Sequence, residues 1–232
     1  MKFVQYTAIS LITMSTVFAL GTTVSAATTP STASSKNHVE FQGGNTDPTD
    51  PVDPTDPDNP NPPIDPVDPT NPGTGNPGPL SLDFVSNIEF GTHDISTKTE
   101  TYHALNENPY VQVTDKTGQG QGWNLVATAS EFKDSTGSKV LKGAELTFLN
   151  GQTNTNIANV SAAPTAQQSV SFTNQSAQPI MNAQVGEGKG TWVDVWSGTA
   201  NDNANVLLKV LPGSADETSY TATIDWTLTV AP

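Results

Sequence analysis

Apolar residues fall at every second position in short runs from Leu80 onward. Leu80, Leu82 and Phe84 alternate with Ser81 and Asp83, and Ile88 and Phe90 continue the pattern after Asn87. Tyr110, Val111 and Val113 follow Pro109, and Leu146, Phe148 and Leu149 precede Asn150-Gly151, a pair that predicts a hairpin turn. Val170 and Phe172 alternate with serine, Trp192 to Trp196 reads Trp-Val-Asp-Val-Trp, and Val206 to Leu211 is aliphatic with one lysine. Each run is short, rich in β-branched or aromatic residues, and bounded by Gly, Asn, Asp or Pro. No stretch carries a helical period. The pattern predicts an all-β domain over residues 80–232, an antiparallel β-sandwich or barrel of Greek-key or Ig-like type.

Two runs carry the largest apolar faces. One is Gly122-Trp123-Asn124-Leu125-Val126-Ala127-Thr128-Ala129. The other places Tyr220, Ala222, Ile224, Trp226, Leu228 and Val230 at alternate positions before Ala231-Pro232. In both, Trp and Leu stand two apart and share one strand face. Two matching faces need a common core, so the two strands are expected to lie together.

These residues resemble the WxL-domain proteins of the Gram-positive cell surface. Residues 113–132 match the proximal motif, Trp-x-Leu after a Gly-rich turn. Tyr220, Ile224, Trp226, Leu228 and Pro232 match the distal one. Asp225 departs from the family, which usually has Thr before this Trp. Residues 141–148 and 188–192 also look like the family. The resemblance covers roughly residues 80–232. It implies non-covalent attachment to the cell wall by peptidoglycan binding, with Trp123, Leu125, Tyr220, Trp226 and Leu228 as the motif residues. It also implies association with other proteins of the same surface complex.

Ahead of this domain the chain changes character. Lys2, an apolar run from Ala8 to Leu20 and Val24-Ser25-Ala26 read as a signal peptide cleaved near Ala26. The run is short and polar for a membrane span, and a retained N-terminal anchor is the other reading of it. Residues 27–79 read as a disordered linker, rich first in Ser and Thr and then in Asp-Pro triplets. The triplets run from Asp47-Pro48-Thr49 to Asn59-Pro60-Asn61 and resume at Asp65-Pro66-Val67. Proline fixes its own φ and biases its predecessor toward extended backbone. In polyproline II geometry the tract could reach on the order of 100 Å at ~3.1 Å per residue, a spacer. A docking ligand for an aromatic groove is the other reading of the same pattern.

Charge narrows the partners. The net charge is -14, and all nine basic residues are lysine. That disfavours nucleic acid and anionic membrane, and simple electrostatic adhesion to an anionic wall polymer. The absence of cysteine excludes lipidation through cysteine, disulfides and Cys-based zinc sites.

Catalytic signatures are missing. Histidine is limited to His38, His93 and His103, and neither Gly-x-Ser-x-Gly nor His-Glu-x-x-His occurs. His93, Asp94, Glu100 and His103 fit no metal-site spacing and read as solvated loop residues. Asn201, Asp202, Asn203 and Asn205 lack the Gly and the terminal Glu of an EF-hand and read as a polar hairpin loop. Glu187 and Asp194 are an acid pair of the kind any acidic domain offers. The sequence therefore predicts no enzyme, no cofactor and no metal.

The tryptophans are the better lead. Trp192, Asp194 and Trp196 share one strand face, and an indole packs well on the apolar face of a sugar. They are the candidate glycan contacts. Trp123 and Trp226 can equally be core residues that shape such a surface. The sequence has no Leu-Pro-x-Thr-Gly signal and no apolar C-terminal span, so a secreted chain of this kind is either released or held non-covalently, and the resemblance implies the second. Two functions remain open: a wall-binding module, or a structural or adhesive protein that binds another protein, for instance by adding a strand to an exposed edge.

Overall fold

The computed structural model describes residues 32–60 and 64–231. The expected signal peptide, the first residues of the expected linker and Pro232 lie outside them. Twelve strands and no helix form among the described residues: β1 (Leu80–Val85), β2 (Glu100–Ala104), β3 (Tyr110–Asp115), β4 (Trp123–Ala129), β5 (Glu145–Leu149), β6 (Gln152–Thr155), β7 (Thr165–Ala166), β8 (Ser169–Phe172), β9 (Gln178–Ala183), β10 (Gly190–Val195), β11 (Asn203–Val210) and β12 (Ile224–Val230).

They make three antiparallel four-stranded sheets, ordered β1-β3-β10-β6, β2-β11-β5-β8 and β12-β4-β9-β7. The fold is all-β and sandwich-like, and it is not a closed barrel. One core joins the three sheets. Val111 and Val113 of β3 meet Trp123 and Leu125 of β4, Phe148 of β5, Phe172 of β8, Ile180 of β9 and Val206 of β11. Phe148 anchors it, 4.7 Å from Trp196 and edge-on to Phe172 at 6.2 Å between ring centroids.

Asn150-Gly151 does not close a hairpin. β5 pairs with β8 and β11, whereas β6 pairs with β10, so the turn carries the chain from one sheet to another. Asn150 adopts a left-handed φ of 56°, as turn chemistry suggests. Gly151 is needed for a different reason. A Cβ there would lie 2.7 Å from Asp194 Oδ1 and 3.1 Å from Trp196 Nε1.

Among the described residues the Asp-Pro tract forms no strand or helix, but it is not a free spacer. The compact unit runs Phe41–Pro232, so it begins well before Leu80. The physical cause is the sheet β1-β3-β10-β6, whose strands β1, β3 and β10 carry apolar residues on both faces. Every residue of β3 is buried. One face supplies Val111 and Val113 to the common core. The other carries Phe84, Tyr110, Val193 and Val195, and Val52 of the tract packs on them. The tract is thus the second cover of that sheet. Side chains of β3 and β6 take up backbone groups of the tract at Asp50, Val52 and Pro54. Residues 32–40 are exposed and without regular structure.

Candidate functional site

The strands of the two Trp-Leu pairs are neighbours. β12 runs antiparallel to β4, with Trp226 opposite Ala127, Leu228 opposite Leu125 and Val230 opposite Trp123. All four motif side chains therefore project from one face of one sheet. Their surroundings differ. β4 is flanked by β9 and β12, and Trp123 and Leu125 are fully buried. The Trp123 indole Nε1–H donates to Gly188 O at 3.1 Å. Two glycines admit that ring and its strand. A Cβ on Gly188 would come within 2.7 Å of Trp123 Nε1, and one on Gly122 within 2.3 Å of Ala183 O. Both have left-handed φ, 69° and 78°.

β12 is the edge of the sheet. Its Ile224, Trp226 and Leu228 pack against the core but stay partly exposed, while Asp225, Thr227 and Thr229 face solvent. Trp226 leans on the buried Trp196 at 6.5 Å between ring centroids. Tyr220, expected on the same strand, lies in the segment before it. Its hydroxyl accepts the Asp216 N–H at 2.8 Å, and its ring joins a small cluster of Leu141, Leu208 and Val210.

Beside Trp226 and Tyr220 the sheets leave an open groove of about 930 Å³. Phe90, Tyr102, Phe132 and Ile224 line its floor with them. The segment after β1 forms another wall, where His93 stacks on Tyr102 with centroids 3.8 Å apart. Asp94, Glu100 and Asp216 contribute carboxylates to the walls and Lys98 an ammonium. The result is an aromatic-lined, mainly acidic groove, chemistry suited to stacking on sugar rings while polar groups take the hydroxyls.

The expected glycan contacts lie elsewhere. Trp192 and Trp196 are 4% and 2% exposed and Asp194 is fully buried, so none offers a face to a wall polymer. They do share a strand face, but that face points into the protein. β10 sits between β3 and β6, and its other face carries Val193 and Val195 beneath the tract. The Trp192 Nε1–H donates to Lys189 O at 3.0 Å. Neither Asp194 oxygen nor Trp196 Nε1 has a hydrogen-bond partner. Burial pushes the Asp194 carboxyl up to about 8, so it is mostly protonated at neutral pH.

Among the residues with a metal-ligand reading, His93, Glu100, His103 and Asp202 have other partners. His93 Nε2 pairs with Phe90 O at 2.6 Å, His103 Nδ1 with Asp202 Oδ1 at 2.6 Å, and Ser96 Oγ donates to Glu100 Oε1 at 2.6 Å. No group of three or more His, Asp or Glu able to hold a metal occurs among the described residues. Asn203 is buried rather than in a solvated loop, and its amide donates to Trp196 O at 2.8 Å and to Asn106 O at 3.0 Å. Glu187 takes the Gln184 N–H in the turn before β10.

Sequence reasoning missed most of the groove. In sequence His93 reads as a solvated loop residue, and Tyr102 and Phe132 give no signal of their own. The distal motif points to Tyr220, Ile224 and Trp226 of its lining.

The sequence profile of the WxL domain, described as surface cell wall-binding, matches residues 28–232. No curated protein matches the chain, and no solved structure does.

Proposed function

Because this chain belongs to the WxL family of surface cell-wall-binding domains, we propose that it attaches to the wall by binding peptidoglycan in the groove beside β12. Surface attachment follows from the family. The ligand and the groove are our reading. The observation that carries it is the placement of Trp226 and Tyr220: the distal motif is partly exposed and lines an aromatic groove, whereas the proximal motif is buried. Rings stack on the apolar faces of sugars, and the carboxylates Asp94, Glu100 and Asp216 suit hydroxyls and peptide amines. The chain's charge of -14 favours such a ligand over an anionic wall polymer. The role is binding rather than catalysis.

β12 also supports a second reading. It ends its sheet, so its outer edge offers unpaired backbone groups next to the groove. A strand of another surface protein could add there. Sedimentation with purified, protein-free peptidoglycan separates the two. Retention on peptidoglycan stripped of protein and anionic polymer is the expected result. Retention only on walls that still carry protein would replace the glycan reading with the second one.

A further inference from the structure

The tract that covers β1-β3-β10-β6 contains one hexapeptide twice. Residues 50–55 and 65–70 both read Asp-Pro-Val-Asp-Pro-Thr. The two copies are held in different ways.

The first lies in a slot that reads its backbone. The side-chain amide of Gln112 donates to Asp50 O at 3.1 Å and accepts the Val52 N–H at 2.8 Å. It thus pairs with an extended strand much as another backbone would. Tyr110 Oη donates to Val52 O at 3.0 Å, and Asn154 Nδ2 donates to Pro54 O at 3.2 Å. Val52 packs against Phe84, Tyr110, Val193 and Val195, and Pro54 is buried. Phe84 and Tyr110 stack at 4.4 Å to form the floor. The slot itself is pre-organised. Gln112 also donates to Asp83 Oδ2 at 3.0 Å, and Thr114 Oγ1 and Ser81 Oγ hold the same carboxyl at 2.6 Å each.

The second copy is held by its carboxylates instead. Asn106 donates to Asp65 Oδ2 at 2.8 Å, and Asn87 donates to Asp68 through its backbone N–H at 3.0 Å and its side chain at 2.9 Å. One sequence therefore has two seats, and only the first is built around main chain, Val and Pro.

We propose that the outer face of β1-β3-β10-β6 is a binding site for extended Asp-Pro-Val-Asp-Pro-Thr segments, filled in cis by residues 50–55 and open to the same hexapeptide from a second copy of this chain. Every polar contact of the slot is to backbone, and its apolar contacts need only Val and Pro. An identical segment from another chain satisfies all of them. Each chain carries two such hexapeptides for one slot. The cis segment has the advantage of tethering, which gives it a high effective concentration. Exchange is therefore expected where chains are crowded, and it links copies by swapping identical segments. This is independent of the wall-binding groove, which lies outside the slot.

The test uses the full chain and a fluorescein-labelled peptide with the sequence of residues 47–58. Val52→Asp loosens the cis occupant and leaves Gln112, Tyr110, Asn154 and Phe84 in place. This variant should bind the peptide at least about tenfold more tightly than the parent, in which the tethered segment competes. A peptide with Asp at its central Val position should not bind. Val52→Ala serves the same purpose if Val52→Asp loses its strand circular dichroism. A folded open-slot variant blind to the peptide, or one that binds both peptides equally, would overturn the site. Light scattering of concentrated parent protein should show a dimer that excess peptide dissolves. A monomer at every concentration, or a dimer indifferent to the peptide, would overturn exchange between copies.

Discussion

Trp123-Leu125 and Trp226-Leu228 are the same tripeptide pattern on neighbouring strands, yet they meet different fates. β4 has a strand on each side, and its Trp closes over Gly188 with no exposed surface. β12 has a strand on one side only, and its Trp keeps part of its ring open to a groove. The difference comes from sheet position, since the side chains point the same way from the same sheet. A motif repeated in sequence is thus divided in role. The proximal copy sets the core, and the distal copy carries the core out to the surface proposed to bind.

Mutation of the two tryptophans should break that comparison most sharply. Trp123→Ala removes a fully buried ring and should cost about 3–5 kcal/mol, a large share of the roughly 5–15 kcal/mol that holds a domain. Wall binding should vanish with the fold. Trp226→Ala should cost about 1.5–3 kcal/mol, because part of the ring is already in water. Thermal unfolding of both variants checks the order, and equal losses would erase the proposed division.

The glycines sharpen it next. Gly188→Ala forces a Cβ toward the Trp123 indole at a left-handed φ and should destabilise by more than about 1 kcal/mol. Gly137→Ala shares the left-handed φ of 72° but meets nothing within 4 Å. A chemical-denaturation midpoint that falls further for Gly188 than for Gly137 would isolate the close approach to Trp123 from backbone strain.

Asp194 allows a pH test of the interior face of β10. Its folded pKa is raised to about 8 by burial, while the unfolded chain ionises near the ordinary carboxylate value of about 4. The protonated group is tolerated at low pH. Stability should therefore be highest below the unfolded value and fall as pH rises toward the folded one. Asp194→Asn cannot ionise, so its melting temperature should fall less between pH 4 and 8 than that of the parent. Parallel melting curves across that range would mean that Asp194 reaches solvent or a partner.

Alternation identified the strands whose apolar residues dominate, β1, β3, β4, β5, β8, β10, β11 and β12, and it placed Trp192, Asp194 and Trp196 on one face. It did not reveal which face meets solvent. That depends on β10 lying between two strands, with the tract over its far side. β2 and β6 were illegible because Glu-Thr-Tyr-His-Ala and Gln-Thr-Asn-Thr are polar edge sequences that borrow order from their neighbours. β9 was hidden by Pro179, which sits where the β4–β9 register shifts and a missing N–H is tolerated. Turn chemistry at Asn150-Gly151 gave the local backbone but not the sheet that the next strand joins. The Asp-Pro triplets gave no sign of the turns within the tract or of its docking, which depends on side chains such as Gln112 and Asn154 far along the chain. The groove was legible at the distal-motif residues Tyr220, Ile224 and Trp226, whereas the segment around His93 and Tyr102 is brought there by the fold alone.

The most direct test of the groove is a residue that lines it without supporting the core. His93 is exposed, and its ring lies on Tyr102 at the groove wall. Retention of His93→Ala on purified peptidoglycan should be measured beside its melting temperature, with Val160→Ser, a fully exposed position outside the groove, as control. The account predicts that His93→Ala melts like the parent and is retained severalfold less, while Val160→Ser matches the parent in both. Undiminished retention of His93→Ala would contradict the assignment of wall binding to this groove.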